Sequence, residues 1–379
     1  MKEIYLDNAA TTQVDKKVVK IIGNCLTEKY GNASSLHSKG EEAKNLLEGS
    51  RKIIAEEIGA KFREIIFTGS GTEANNFTIK GLFWRSFPEK NHIITTKVEH
   101  DCILGACKWI EKQGGKITYL DVDGEGFIDI KKLEDAITDK TFLVSVIHGN
   151  NEVGTINDIR EIGKICKSKG VLFHTDACQS FTKAPINVVK DNLDLVTLNA
   201  HKIHGPKGVG VLYVREGIKI DPLLHGGGQE FKLRSSTENI PGIVGFSEAV
   251  KLSSKKDIEK MEKLRDYLIK GILEEIPRSK LNGPRENRLC NNVNIGFGNI
   301  EGEAISSFLN EKGIFVSAGS ACSSKSLDPS HVLLAMGLNE MEANSSIRLS
   351  LSKHTAKNEL DHVVKELKKV VDKLKEVAP

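Results

Sequence analysis

A lysine that follows a predicted strand is the residue of this sequence with the clearest potential for covalent chemistry. Lys202 comes shortly after the apolar run 194–198 and just before a glycine–proline turn at 205–206. A lysine at such a place can lose its hydration, lower its pKa and attack a carbonyl carbon as the free amine. The pattern is typical of a lysine that binds an aldehyde cofactor, and a solvated lysine beside a turn has the same signature.

Four polar clusters also follow predicted strands. The turn 68–73 combines small residues with Thr72, which suits anion binding at a helix N-terminus. Asp176 is able to hold a ring nitrogen protonated, and the cofactor pyridoxal 5'-phosphate (PLP) needs that protonation to act as an electron sink. His100 suits ring stacking and proton transfer, and the polar turn 150–154 offers an asparagine to a ring hydroxyl.

Each cluster taken alone also has an ordinary structural interpretation. The turn 68–73 and Asp176 are both compatible with helix caps, His100 with a structural histidine, and 150–154 with a plain turn. Together with Lys202, however, they form the set of groups that a PLP enzyme of the aminotransferase type needs. The sequence therefore predicts PLP binding.

A cysteine in an unusual setting indicates a second reactive group. Cys322 lies in the segment 316–326 among glycine, alanine and serine, whereas a structural cysteine normally has apolar neighbours. An exposed thiol with polar neighbours is a candidate nucleophile, and a passive exposed cysteine is the alternative. The seven cysteines show no CxxC spacing, so we predict free thiols and no metal site. Cys102 and Cys107 lie five residues apart on a predicted helix and are interpreted as core or surface filler.

Short apolar runs alternate with helical patterns, and this predicts an α/β fold with a mostly parallel sheet covered on both faces. The predicted strands are 64–67, 92–95, 116–120, 142–147, 171–174, 194–198 and 208–214. Helical periodicity covers 40–58, 72–83, 102–113, 159–169 and 255–273. In such sheets functional groups collect at the carboxyl ends of the strands.

The chain is long enough for two domains, at 379 residues. We expect a large PLP-binding domain over 13–256 and a smaller α+β domain formed by 1–12 and 257–379. A last helix from about Asn358 carries an apolar stripe that predicts a docking face. The net charge of +3 gives no reason to expect nucleic-acid binding, and neither a signal peptide nor an apolar membrane span is evident. A cytoplasmic protein is the expectation.

The chain resembles a cysteine desulfurase of the NifS/IscS type, a group within the class V aminotransferase superfamily. Nine blocks along nearly the whole length carry the resemblance. They are 5–12, 31–35, 71–76, 150–152, 174–179, 200–202, 226–230, 319–322 and 346–348. The resemblance implies PLP fold type I with a mostly parallel seven-stranded sheet, and a homodimer.

The resemblance also implies a role for each residue of the site. Lys202 would hold the cofactor covalently, with Asp176 on the ring nitrogen and His100 stacked on the ring as a further catalytic group. The remaining cofactor ligands would be Gln179, Asn151, Gly71, Thr72, Asn199, His201 and, from the partner subunit, Thr237. Arg348 would clamp the substrate carboxylate, with Asn32 and Asn8 close by.

The implied reaction converts L-cysteine to L-alanine and leaves the sulfur on Cys322 as a persulfide. The catalytic cysteine loop would span about 317–331 and pass sulfur to an acceptor, such as an iron–sulfur scaffold or a tRNA-thiolation enzyme. The alternatives are a selenocysteine lyase, a class V aminotransferase with other products, and a non-catalytic sulfur-relay partner that keeps the fold.

Three positions depart from the family pattern. Asn199 stands where many members have serine near the phosphate, and the order Gly69-Ser70 is the reverse of the common one. Ser236 replaces a usual glycine before Thr237. If that position needs a positive φ, the serine is strained there.

Overall fold

The computed structural model describes residues 3–318 and 328–377. Its strands form a seven-stranded sheet, a four-stranded sheet and a two-stranded pair. The strands are β1 (Ile4–Tyr5), β2 (Ile65–Thr68), β3 (His92–Thr96), β4 (Lys116–Leu120), β5 (Thr141–Ser145), β6 (Leu172–Asp176), β7 (Leu195–Asn199), β8 (Gly210–Val214), β9 (Lys280–Leu281), β10 (Asn292–Gly296), β11 (Ile314–Phe315), β12 (Ser317–Ala318) and β13 (Ser346–Ser350). The helices are α1 (Lys16–Thr27), α2 (Ser38–Ile58), α3 (Gly71–Ser86), α4 (Asp101–Lys112), α5 (Ile130–Ala136), α6 (Ile159–Lys169), α7 (Ile240–Lys251), α8 (Lys255–Glu275), α9 (Gly302–Glu311), α10 (His331–Ala335), α11 (Glu340–Asn344) and α12 (Lys357–Val377).

The large sheet has the strand order β2-β8-β7-β6-β5-β3-β4. Strand β8 runs antiparallel to both of its neighbours, and the other adjacent pairs are parallel. Six of the seven strands therefore point the same way, and their carboxyl ends meet at one edge. The predicted mostly parallel sheet is confirmed.

Apolar side chains on both faces explain why these strands are buried in the middle of the molecule. Successive residues of a strand point to opposite faces. Accordingly, Ile94 packs in the core on one side of the sheet and Ile93 in the core on the other. Helices α1, α2, α6 and α7 cover the side of Ile94, and α3 and α4 cover the side of Ile93. This layering holds the strand ends, and the polar residues that follow them, in fixed positions.

A second core lies around the four-stranded sheet, whose order is β12-β13-β10-β9 with all neighbours antiparallel. Helices α8, α9 and α12 contribute its helical side chains. The apolar stripe predicted for the last helix is buried here, so it docks within the chain. The N-terminal β1 pairs in parallel with β11, which ties the start of the chain to this second core.

Each predicted strand and helix is present, and the bounds differ by a few residues. The predicted strand 208–214 begins only at Gly210, because Gly208 has a φ of +78° and cannot continue an extended strand. The predicted strand 142–147 ends at Ser145, although Val146 and Ile147 are also buried. The division into domains at residue 256 stays a prediction.

Within the described ranges no helix is long and apolar enough to cross a membrane.

Candidate active site

A cavity of about 220 Å³ opens where the parallel strands of the large sheet end. The segments after β5, β6 and β7 form much of its wall, together with the first turns of α3 and α4 and a residue of β13. Residues predicted for the site that line it are Gly71, Thr72, His100, Asn151, Asp176, Gln179, Asn199, His201, Lys202 and Arg348. This clustering follows from the fold, because the carboxyl ends of parallel strands lie at one edge of the sheet and the residues after them lie there too.

Lys202 lies in the turn after β7 and reaches the N-terminal segment. Its Nζ donates to the backbone oxygen of Ala9 and, at 2.7 Å, to that of Ala10. Gln179 Nε2 also donates to the Ala9 oxygen, at 2.8 Å. Residues 9 and 10 therefore hold both side chains at the cavity wall.

Asp176 is the last residue of β6 and places a buried carboxylate at the cavity. One of its oxygens accepts from the backbone N–H of Cys178 at 2.9 Å, and the other accepts from Asn75 Nδ2 at 2.6 Å. These two donors fix both carboxylate oxygens in position at the cavity wall.

Behind Asp176, His174 bridges Ser145 Oγ at 2.8 Å and Thr197 Oγ1 at 3.0 Å. Burial lowers the pKa of His174 to about 4, so the ring is neutral at physiological pH. This histidine contributes structure and no charge.

The turn between β2 and α3, for which the sequence predicts anion binding, forms one end of the cavity. Ser70 caps the helix by accepting from the Glu73 N–H at 3.0 Å, and Gly69 N–H donates to the Glu73 carboxylate at 2.8 Å. The first N–H groups of α3 have no partner within the helix, and Gly71 and Thr72 line the cavity. The Ser70 hydroxyl is thus used as a helix cap, which is the consequence of the Gly69-Ser70 order.

Gly71 is required by the closeness of this turn to the next strand ends. A Cβ at Gly71 would lie 2.5 Å from Cys178 Sγ and 3.5 Å from Asn199 Nδ2. The first residue of α3 can therefore approach the carboxyl ends of β6 and β7 only without a side chain.

Two histidines of the cavity have different surroundings. His100 caps α4, where its Nδ1 accepts from the Cys102 N–H at 3.2 Å and lies 3.1 Å from Cys102 Sγ. His201 Nδ1 lies 3.2 Å from Thr11 Oγ1. Burial, followed by the charges of Lys202 and Lys207, lowers the pKa of His201 to about 3, so it is a neutral hydrogen-bonding group.

Arg348 projects from β13 into the cavity and is 1% exposed. Its Nη2 donates to Asp7 Oδ1 at 2.9 Å and to Ser317 Oγ at 3.3 Å, and its Nη1 donates to the Asn151 oxygen at 3.1 Å. Its Nε–H is buried and has no partner among the described residues. A guanidinium has five N–H donors, so some remain for a carboxylate.

Three predicted site residues within the described ranges do not line this cavity. Asn8 is buried and donates to the backbone oxygens of Tyr5 and Ser350, while Asn32 is exposed and accepts from the Ser34 N–H. Thr237 lines a separate cavity with Gly69 and Arg234. Cys322 lies in 319–327, outside the described residues.

The structure also describes the two other positions that depart from the family pattern, Ser236 and Asn199. Ser236 does not have a positive φ, so the strain considered for this position is absent. Asn199 lines the cavity, and its buried Oδ1 has no hydrogen-bond partner in the parts of the chain that the structure describes. An acceptor without a donor at this position is available to a bound group that carries one.

Sequence reasoning missed several residues of the cavity. Asn75 bonds Asp176 from the second turn of α3, and the two cysteines Cys102 and Cys178 line the wall. Each comes two or three residues after a predicted site residue, and this closeness in sequence is the feature that could have identified it. The interpretation of Cys107 as core is confirmed by its burial, whereas Cys102 lies at the cavity.

The donor set fits PLP. A carboxylate held by two donors suits the ring nitrogen, the first N–H groups of α3 suit a phosphate, and a lysine lines the same cavity. The buried, unpartnered oxygens of Asn75 and Asn199 and the missing side chain at Gly71 are independent signs of a cavity built for a polar occupant. Within residues 3–318 and 328–377, no cluster of three His, Cys, Asp or Glu side chains could hold a metal ion.

The chain is similar in sequence to proteins of known family. The family model described as Aminotransferase class-V matches residues 4–363. A relative named "Cysteine desulfurase IscS" from Dictyoglomus turgidum is 47% identical over 381 residues, covering 100% of this chain and 97% of the relative.

Solved structures agree with this similarity. One titled as a NifS-like protein has a TM-score of 0.92 at 37% identity, covering 98% of this chain and 100% of that chain. Another, titled "SspA in complex with cysteine", has a TM-score of 0.85 at 38% identity, covering 94% and 100%.

Proposed function

The chain belongs to the class-V aminotransferase family, and we propose that it is a PLP-dependent cysteine desulfurase. The observation that carries the proposal is one cavity that combines Lys202, Asp176 and Arg348. These provide an amine for the cofactor aldehyde, a carboxylate for its ring nitrogen and a cation for the carboxylate of an amino acid. The reaction converts L-cysteine to L-alanine and leaves sulfur on Cys322 as a persulfide.

When bound, PLP supplies an electron sink that weakens the bonds at the substrate carbons. Lys202 and Asp176 would hold it, and the N–H groups of α3 with Thr72, His201 and Asn199 would bind its phosphate end. His100 would lie against the ring, and Asn151 and Gln179 would contact the region of its ring hydroxyl. Asp176 keeps its place because Asn75 and the Cys178 N–H fix both oxygens.

Arg348 binds and orients the substrate carboxylate. Its own position is fixed by Asp7, Ser317 and the Asn151 oxygen, so little side-chain freedom is lost on binding. Asn32 and Asn8 complete the predicted substrate set only if they contact the bound amino acid, since neither lines the cavity in this structure.

When it is not bound to the cofactor, the Lys202 amine would be the group that takes the proton from the substrate α-carbon. Cys322 supplies the nucleophile for the sulfur. Its thiolate attacks the substrate sulfur, the new S–S bond forms as the C–S bond breaks, and the carbon skeleton receives protons to become alanine. One thiol and one cysteine thus give one persulfide and one alanine, and no external oxidant or reductant is needed.

The proposal includes a homodimer in which Thr237 of one chain reaches the phosphate end of the other chain's cavity. It includes a cytoplasmic location and a protein acceptor for the persulfide sulfur, such as an iron–sulfur scaffold or a tRNA-thiolation enzyme. The name of the Dictyoglomus turgidum relative supports desulfuration of cysteine, and the acceptor class is supported by the family resemblance.

The test is a desulfuration assay on the purified, PLP-loaded chain. We expect equimolar alanine and sulfide from L-cysteine with a thiol reductant, and bound cofactor visible by absorbance. Cys322→Ser should keep the bound cofactor and lose sulfide release, and Lys202→Ala should lose the covalent bond to the cofactor. Unchanged turnover of Cys322→Ser would remove this thiol from the reaction.

Product analysis separates the alternatives. A keto acid with amino-group transfer would indicate an aminotransferase, and selenide release with poor activity on cysteine would indicate a selenocysteine lyase. A protein that binds no PLP would be a sulfur-relay partner.

A further inference from the structure

A histidine with no role in the proposed reaction lines the same cavity as Lys202 and Arg348. His331 begins the short helix α10 and is partly exposed. It is the last residue of the segment 317–331, which the family resemblance assigns to the cysteine loop, and the resemblance gives it no function of its own. The contacts of its ring indicate that it is a base.

One backbone contact fixes the tautomer of His331. Its Nε2 lies 3.0 Å from the backbone oxygen of Glu99, a buried residue whose carboxyl is held by Thr96 and the Ile147 N–H. A carbonyl oxygen only accepts hydrogen bonds, so Nε2 carries the proton in this contact. In the neutral ring Nδ1 then has the lone pair. Within the described ranges Nδ1 accepts no hydrogen bond, so the lone pair is available to a substrate.

A carboxylate lies beside this acceptor. Asp101 Oδ1 is 4.0 Å from His331 Nδ1, and Asp101 also lines the cavity. A carboxylate at this distance stabilises the positive charge that the ring gains when Nδ1 takes up a proton. Asp101 is exposed, so this side of the ring lies near solvent, to which the proton is able to pass.

A chain of contacts connects His331 to the proposed carboxylate site. Arg348 Nη1 donates to the backbone oxygen of Asn151 at 3.1 Å, and the carboxylate of the next residue, Glu152, accepts from Ser330 Oγ. Ser330 immediately precedes His331. The ammonium and carboxylate groups of an amino acid are attached to the same carbon. An amino acid held by Arg348 therefore brings its ammonium group to this part of the cavity.

We propose that His331 is a further catalytic residue, whose Nδ1 takes the proton from the ammonium group of the amino acid that Arg348 binds. An N–H bond of the substrate breaks and an Nδ1–H bond forms, while the electron pair stays on the substrate nitrogen. Only the neutral amine is able to attack the carbonyl carbon of the cofactor. The cationic ring beside Asp101 then gives its proton to water. The inference rests on the proposed PLP site and carboxylate site, and it does not depend on the sulfur step.

The variant His331→Gln isolates the basic nitrogen. Its amide keeps a donor for the Glu99 oxygen but has no group that takes up a proton near neutral pH. The other titratable and charged side chains around the ring stay the same, so the ratio of the two rates reports on His331. They are Glu99, whose pKa burial raises to about 8, and the cavity residues His100, Asp101, Cys102, Glu152, Asp176, Cys178, His201, Lys202 and Arg348.

The experiment follows the cofactor absorbance when the PLP-loaded chain is mixed with L-cysteine, at concentrations where the rate is proportional to L-cysteine. At about pH 7 we expect His331→Gln to react about a hundredfold more slowly than the original chain. Towards about pH 10 this difference should shrink about tenfold, because the free amino acid then loses its ammonium proton in solution. Added imidazole should accelerate His331→Ala and leave the original chain unchanged.

The matched control is His354→Gln, because His354 is an exposed histidine that does not line the cavity. It should react at the original rate. A slowing of His331→Gln that is the same at every pH, or no slowing, would overturn the proposal. Loss of PLP binding in both His331 variants would show that this residue has only a structural role. If the original chain reacts with L-cysteine but releases no sulfide, the proposed desulfuration fails, while the His331 step is still measured by the mixing rates.

Discussion

Arg348 is a buried cation whose charge is balanced inside the protein by Asp7. The Nη2–Oδ1 distance is 2.9 Å, and Ser317 Oγ bonds both side chains, at 2.9 Å to Asp7 and 3.3 Å to Arg348. The Asp7 side chain is 18% exposed, so the pair is only partly screened by water. Asp7 is therefore a positioning residue for the proposed carboxylate site.

The role of Asp7 can be measured as an effect on KM. Asp7→Ala removes the acceptor that orients Arg348, and we expect KM for L-cysteine to rise about tenfold with a smaller change in kcat, since a bond to a charged group is worth about 1.5–3 kcal/mol. Asp7→Asn keeps an oxygen acceptor and should restore KM to near the original value.

The matched control is Asp15→Ala, because Asp15 pairs with Lys353 at 3.2 Å and does not line the cavity. It should leave KM unchanged. A loss of kcat in both Asp7 variants without a change in KM would show that Asp7 acts only on folding or on the chemical step.

The sequence predicts individual residues best where a strand end fixes them. Lys202 and Asp176 were predictable because each follows an apolar run, and parallel strands bring such residues together. Asp7 was not predictable as a partner of Arg348, since 341 positions separate the two. Asn75 was missed because helical spacing alone does not say which neighbouring strand end its amide will contact.

At the scale of elements, the junction of β2 and α3 depends on the absence of a side chain at Gly71. Gly71→Ala would place a Cβ 2.5 Å from Cys178 Sγ, and we expect a loss of about 1–3 kcal/mol in the free energy of unfolding from overpacking. Because the clash is with one sulfur, the double variant Gly71→Ala/Cys178→Ala should recover most of the loss. Denaturant unfolding of the single and double variants measures the coupling.

Gly49 in α2 provides the control, because a Cβ there meets nothing within 4 Å. Gly49→Ala should stabilise the chain by up to about 1 kcal/mol through helix propensity. Additive effects of Gly71→Ala and Cys178→Ala would contradict the proposed contact.

The connection between β3 and α4 is built on a buried acid, Glu99. Its Oε1 accepts from Thr96 Oγ1 at 2.8 Å and from the Ile147 N–H at 2.9 Å, while Oε2 has no partner among the described residues. Burial raises the pKa of Glu99 to about 8, so the carboxyl is protonated at neutral pH in the folded chain.

This proton makes stability depend on pH. Between about 4.5 and 8 the unfolded chain has lost the proton and the folded chain keeps it, so the stability due to Glu99 falls by about 1.4 kcal/mol per pH unit. Glu99→Gln lacks this titration. Urea unfolding at pH 5 and pH 7 should show the original chain losing more stability than the variant. Parallel losses would mean that Glu99 is ionised in the folded chain.

Element types were predictable from periodicity, and their ends were not. The apolar run before Asp176 identified β6, but the start of β8 depends on the positive φ of Gly208, which the sequence pattern does not reveal. The direction of β8, opposite to the other six strands, depends on the connection after Lys202 and not on the strand's own residues.

At the scale of the whole molecule, the cavity needs both cores and, in our proposal, a second chain. Lys202 follows the large sheet and Arg348 lies on the small one, while Thr237 faces a different cavity with Gly69 and Arg234. Arg234 bonds Glu73 of α3 at 2.8 Å, so the segment that carries Thr237 is attached to the first turn of α3. Thr237 is exposed there, as the proposed contact with another subunit requires.

Mixed dimers test this arrangement. Lys202→Ala chains should be inactive, and Thr237→Ala chains should bind PLP more weakly through loss of one phosphate contact. In a mixed dimer of the two variants, one cavity combines an intact Lys202 from one chain with an intact Thr237 from the other, and the second cavity lacks both. We therefore expect desulfuration to return to about half of the original value per dimer, with original PLP affinity at the working site. If Thr237 served its own chain's cavity, the mixed dimer would keep the weak PLP binding of the Thr237→Ala chain, because that chain supplies the only intact Lys202.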